Sequence, residues 1–150
     1  MTTQDCEIYV FRSSRFKKYM WGSDPRAREG KHAVKVLIVD DDRDIVELLK
    51  LRLSSFPLEV VGEAHDGKTA VSQALELEPD VILMDHRMPV MSGAQATRVI
   101  KQRLPDTTVI GFTASMSEGT RLLIDAGAVG VFDKIQLDGL LAALERLVAS

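Results

Sequence analysis

The chain has 150 residues, 45% of them hydrophobic, with 19 basic and 22 acidic side chains and a formal net charge of −3. That is enough chain for one domain with a real core, and it is too apolar for a disordered tail. It lacks the run of ~20 apolar residues that a membrane-spanning helix requires. The lone cysteine, Cys6, excludes an intrachain disulfide and suits a cytoplasmic protein, and no apolar stretch of the secretory type follows the basic N-terminal residues.

Charge divides the chain. Residues 1–33 hold seven Lys or Arg against four acids, so the excess of acid lies beyond them. Within "IYVFRSSRFKKYMW" five of the eight aromatics (Tyr9, Phe11, Phe16, Tyr19 and Trp21) alternate with Arg12, Arg15, Lys17 and Lys18. Three readings stand: a docking arm, a leader foreign to the fold, or a segment that binds nucleic acid or an anionic membrane surface. "GSDPRAREGKHA" reads as a polar connector. The chain thus divides into an extension, 1–33, and a domain, 34–150.

From Lys35 the pattern turns regular. Short, β-branched apolar runs stand at 35–39 "KVLIV", 58–64 "LEVVGEA", 80–84 "DVILM", 107–113 "TTVIGFT" and 128–132 "AVGVF". Continuous apolar runs of this length are strands buried on both faces. Segments of helical period separate them. "DIVELLKLRL" puts Val46, Leu49 and Leu53 on one stripe, and "GAQATRVIKQRL" groups Ala96, Val99 and Ile100. "LDGLLAALERLV" sets Leu137, Leu140, Leu141, Leu144, Leu147 and Val148 on one face. Ser92 and Asp138 mark helix starts, and Pro57, Pro79 and Pro105 mark helix ends. Five β–α repeats predict an α/β fold: a doubly wound parallel sheet with right-handed crossovers.

Such sheets bind ligands at the carboxyl ends of their strands. The first strand ends in Asp40 and Asp41, the third in Asp85, the fourth in Thr113, and Lys134 follows the fifth. Carboxylates crowded on one edge repel each other unless a cation neutralises them, and Mg²⁺ favours carboxylate oxygens. A carboxylate beside Mg²⁺, with a hydroxyl and an ammonium nearby, is equipped to attack a phosphoryl group and hold the acyl phosphate. Asp85, alone at its strand end before "HRMPVMSG", is the best nucleophile. Asp42 or Asp44 reads as a helix cap. Two rivals remain. "DDD" contains the D-x-D of haloacid-dehalogenase-like phosphatases, with Asp40 as nucleophile, but Asp44 stands where that pattern wants Thr, and Asp85 is left unexplained. The other rival is a constitutive scaffold that never takes phosphate.

The motifs "VLIVDDD", "VILMDHRMPVMSG", "GFTA" and "AGAVGVFDK", in this order, resemble the receiver domain of two-component response regulators over residues ~34–149. The resemblance implies a flavodoxin-like sheet of order 2-1-3-4-5. It makes Asp85 the phosphoacceptor. Asp41 and Asp85 become direct Mg²⁺ ligands, Asp40 a ligand through water, and the backbone carbonyl of Arg87 the remaining protein ligand. Thr113 and Lys134 bind phosphoryl oxygens, and Ala114 is the small residue that leaves them room. Arg87 and Ser115 fall where the family tunes dephosphorylation. A long Arg there predicts a slow loss of phosphate.

The implied donor is a phosphohistidine of a sensor histidine kinase. The implied partners are that kinase and a downstream effector or phosphotransfer protein, with a homodimer possible. The chain is expected to act as a switch rather than an enzyme. Phosphorylation draws Thr113 inward, the following loop "ASMSEG" moves, and the surface of the fourth helix, fifth strand and fifth helix changes. No DNA-binding domain is read in this chain. A receiver from a larger transcriptional regulator and a phosphorelay intermediate are the alternatives. The sequence departs from the family in two places. Ile135 replaces the usual Pro after Lys134, so the turn there is expected to differ. Val131 replaces the switch aromatic, with Phe132 expected to face the opposite way.

Overall fold

The computed structural model describes residues 33–114 and 116–149, with only the backbone of Met116 and Ala149. The basic, aromatic segment and Ser115 lie outside the described residues. In chain order the elements are β1 (Val34–Val39), α1 (Arg43–Leu53), β2 (Leu58–Ala64), α2 (Gly67–Leu77) and β3 (Val81–Met84). They continue with α3 (Gly93–Arg103), β4 (Thr108–Thr113), α4 (Met116–Ala126), β5 (Gly130–Asp133) and α5 (Leu137–Ala149). All pairings are parallel, in the order β2-β1-β3-β4-β5. This is the expected flavodoxin-like, doubly wound sheet.

Alternation along the strands splits the core into two layers. Val36 and Ile38 of β1, Leu83 of β3 and Phe112 of β4 pack under α1 and α5, against Val46, Leu49, Leu53, Leu140 and Leu144. Leu37 and Val39, Ile82 and Met84, and Val109 face α2, α3 and α4, against Ala70, Ala74, Ala96, Ile100 and Leu123. The predicted stripe of α1 is buried throughout. In α3, Ala96 and Ile100 are buried and Val99 half-buried. Small residues dominate the α2 and α3 faces, which lets both helices lie close to the sheet.

Caps fix where helices begin. Asp42 caps α1 by accepting from the backbone N–H of Asp44. Ser92 caps α3 with a full capping box, its Oγ accepting from Gln95 N while Gln95 Oε1 accepts from Ser92 N. Asp138 sits in the first turn of α5, one residue inside its start. One expectation needs correcting. "ASMSEG" is not a loop, because α4 begins at Met116 and leaves only Ala114 and Ser115 between strand and helix. The small and polar residues Ser117, Glu118 and Gly119 hid the first turn of that helix. No helix among the described residues is long and apolar enough to cross a membrane.

Candidate phosphoacceptor and metal site

Asp40, Asp85 and Lys134 each take the first position beyond a strand, and each is pinned by one further rung of the ladder. Asp40 N donates to Ala64 O at 3.0 Å, Asp85 N to Val39 O at 2.9 Å, and Lys134 N to Thr113 O at 3.2 Å. The sheet therefore delivers these side chains to one edge without help from the loops. Asp40 and Asp85 are almost fully buried, at 1% and 4% exposure, while Asp41 faces solvent. Oxygens of Asp40, Asp41 and Asp85 all lie within 4.8 Å of one another. Lys134 Nζ sits between the two buried acids, 2.7 Å from Asp40 Oδ2 and 3.3 Å from Asp85 Oδ2.

The remaining oxygens are held by the backbone. His86 N donates to Asp85 Oδ1 at 2.8 Å and Asp42 N to Asp40 Oδ1 at 2.9 Å. His65 Nδ1 lies 2.9 Å from the carbonyl oxygen of Asp40. A carbonyl only accepts, so the ring carries its proton on Nδ1.

Electrostatics follow from this burial. Desolvation, and then the charge of Asp40, push the Asp85 carboxyl up to about 6. Desolvation also raises Asp40, against the hydrogen bond from Lys134. Burial alone would lower Lys134, but its hydrogen bond to Asp40 and the nearby carboxylates outweigh that and raise it. One ammonium thus serves three acids, and negative charge remains. All-oxygen donors, two of them desolvated, suit a hard divalent cation such as Mg²⁺.

Glycine makes the approach to Asp85 possible. A Cβ at Gly93 would fall 1.8 Å from the carbonyl oxygen of Asp85, and Gly93 N donates to His86 O at 2.8 Å. The loop between β3 and α3 can fold back under Asp85 only because residue 93 has no side chain.

Of the residues singled out from sequence, Asp40, Asp41, Asp85 and Lys134 come together. Thr113 ends β4 fully buried, next to exposed Ala114. The Arg87 side chain, 73% exposed, turns to Glu118 of α4 at 3.4 Å. Ser115 lies outside the described residues. The Lys134–Ile135 bond is trans, and the turn after it closes on Asp133, which accepts from Ile135 N at its carboxylate and from Gln136 N at its carbonyl. Val131 and Phe132 pack into opposite layers, as their adjacency predicts. Sequence reasoning missed His65 and His86. His86 adjoins Asp85 in sequence, but a lone histidine carries no periodic signal of burial.

The family model described as "Response regulator receiver domain" matches residues 36–145. The chain is 48% identical over 102 residues to protein-glutamate methylesterase/protein-glutamine glutaminase 3 of Pseudomonas syringae pv. syringae (strain B728a), across 67% of this chain and 26% of that one. The chain thus spans about a quarter of the length of the curated relatives it matches. Among solved structures, the response regulator domain of Thermotoga maritima CheB is 36% identical with a TM-score of 0.67, covering 77% of this chain and 92% of that one. The BeF3-activated DrrB receiver domain is 27% identical with a TM-score of 0.65, covering 79% of this chain and 100% of that one. With these matches and the observed fold, the chain belongs to the response regulator receiver domain family of two-component signalling.

Proposed function

We propose that residues 34–150 form a receiver that takes a phosphoryl group onto Asp85 from a phosphohistidine of a sensor kinase in the cytoplasm, with residues 1–33 as an extension. The observation that carries this reading is the Lys134 ammonium bridging two buried carboxylates, with a third carboxylate oxygen within 4.8 Å. An Asp85 oxygen attacks phosphorus, the P–N bond breaks, and the imidazole leaves with the electron pair and takes up a proton. The product is an acyl phosphate on this chain, so the chemistry is self-directed.

Asp40, Asp41 and Asp85, with the Arg87 carbonyl, would hold Mg²⁺, which offsets charge on the transferring oxygens. Lys134 would shift from Asp85 to a phosphoryl oxygen, and Thr113 would donate to another. The similar DrrB receiver domain is activated by BeF3, which fits a site of this class. Likeness to a segment of much longer methylesterases favours an enzyme as the regulated output over a DNA-binding domain.

Intact mass after acetyl phosphate and Mg²⁺ tests the reading. The mass of one phosphoryl group is expected to be added, then lost in Asp85→Asn and in excess chelator. Adduct mapped to Asp40 would favour phosphatase-type chemistry, and no adduct would overturn the proposal. A shorter acyl-phosphate lifetime in Arg87→Ala is expected if that side chain screens water.

A further inference from the structure

Of the three clustered acids Asp41 alone faces solvent, and among the described residues it has no hydrogen bond of its own. Its place is therefore set by the two peptide units that flank it. The unit between residues 41 and 42 is held at its N–H, which donates to Asp40 Oδ1 at 2.9 Å. The unit between residues 40 and 41 is held at its carbonyl, which accepts from His65 Nδ1 at 2.9 Å. Only the two soft dihedrals of Asp41 separate these units, so one bond on each side fixes both.

His65 reaches that carbonyl because of where β2 ends. Asp40 N donates to Ala64 O, the last main-chain bond between the two strands among the described residues. Ala64 is buried in the layer of α2 and α3, so by alternation Glu63 and His65 share the opposite face. That face is the one under α1, where Lys50 Nζ lies 2.7 Å from Glu63 Oε2. The other ring nitrogen, Nε2, stands 3.8 Å from Glu63 Oε1, too far for a hydrogen bond. The ring thus makes a single hydrogen bond among the described residues, and it goes to the peptide that leads into Asp41.

We propose that His65 is a positioning residue for the cation: its Nδ1–H fixes the peptide before Asp41 and so holds the exposed ligand in place before Mg²⁺ binds. This rests on the reading of Asp40, Asp41 and Asp85 as a Mg²⁺ site. The two buried acids need no such help, because ladder bonds and Lys134 already hold them. Asp41 has neither. Without the imidazole the peptide is free to turn, and binding must order Asp41 at a cost in backbone entropy. His65 acts on the metal only through the ligand it orients.

Calorimetric titration of Mg²⁺ alone into the full chain reads the effect without any phosphoryl donor. His65→Ala is expected to weaken Mg²⁺ binding about tenfold. His65→Leu fills the space without offering a donor and should be as weak. His65→Asn, whose amide nitrogen can take the place of Nδ1, should restore binding. A side chain that served by packing alone would give the reverse order, with Leu recovering and Asn not. Hydrogen exchange at the amides of Asp41 and Asp42 in excess chelator should quicken in His65→Ala and His65→Leu and return to the wild-type rate in His65→Asn. Where the wild type binds Mg²⁺, equal binding by His65→Ala, recovery in His65→Leu, or failure of His65→Asn to recover would each overturn the positioning role alone. A wild-type chain that binds no Mg²⁺ would bring this inference down together with the reading of the site.

Discussion

The two sides of the site edge are held by different means. On the acid side, bonds made by main-chain groups hold both buried acids. Asp40 is tied to Ala64 and His65, Asp85 to Val39 and His86, and the loop after Asp85 ends in a capping box and in a glycine that leaves no room for a side chain. On the other side β4 passes into α4 through two residues, and an exposed Arg87–Glu118 ion pair links the helix to the opposite loop. Exposed pairs of this kind contribute little. A half that binds charge needs its donors set in advance, since ordering them later costs entropy. A half that reports binding needs two arrangements separated by only a few kcal/mol.

Lys134 spans both halves, so removing it should have the largest effect. Lys134→Ala leaves two buried carboxylates unpaired, and a loss of ~3 kcal/mol is expected at neutral pH. The sign with pH is fixed by Asp85, whose folded-state value is raised to about 6. An acid raised on folding binds its proton more tightly in the folded chain. Its charge therefore destabilises the metal-free protein as pH rises through that range. The deficit of Lys134→Ala should shrink toward about pH 5 and on adding Mg²⁺, as read by thermal melts. An equal deficit at both pH values would mean that Lys134 acts by packing alone.

Two glycines sharpen the contrast. Gly93→Ala drives a Cβ into backbone that cannot yield, at 1.8 Å, and should cost about 3 kcal/mol. Gly119→Ala meets side chains at 3.2 Å and gains helix propensity, so its stability cost should stay under about 1 kcal/mol. Denaturant unfolding of the pair decides whether the acid side is the stiffer one. Smaller again is Val90→Gly. Val90 holds φ 71 while 82% exposed, so a β-branched residue is strained with little packing to offset it. A gain of roughly 0.5–1 kcal/mol is expected, limited by the added entropy of glycine in the unfolded chain. No gain would place a compensating contact in the loop.

The sheet was legible because strands buried on both faces are written as unbroken apolar runs. Their ends were blurred where buried turns share that composition. Ala128 and Val129 read as strand, yet they form the exit from α4, bonded to Leu123 and Val109, and β5 begins at Gly130. The acids and Lys134 were legible because strand ends project onto one edge by topology alone. What sequence could not carry was contact made without a side chain or by a solitary one. Gly93 lets a loop fold back by having nothing there, and His65 and His86 act at single positions that no period marks.

Asp66 offers the cleanest sign. Its Oδ1 accepts from Thr69 N at 2.7 Å and its Oδ2 from Thr69 Oγ1 at 2.9 Å, capping α2. The backbone hydrogen bond from Thr69, and then its hydroxyl, hold the carboxyl below its usual range. The first residue of α2, Gly67, presses on the carbonyl of Met91, where a Cβ would come within 2.3 Å. The cap therefore steadies the loop behind the acid side. Asp66→Ala should cost about 1 kcal/mol at neutral pH. A carboxyl lowered on folding stabilises above its unfolded value, and that stabilisation fades as pH falls through the folded one. Denaturant midpoints of variant and wild type should therefore converge as pH falls below the usual carboxylate range. A gap that persists there would show that the cap works as a neutral hydrogen bond. The acid side would then owe less to charge than its burial implies.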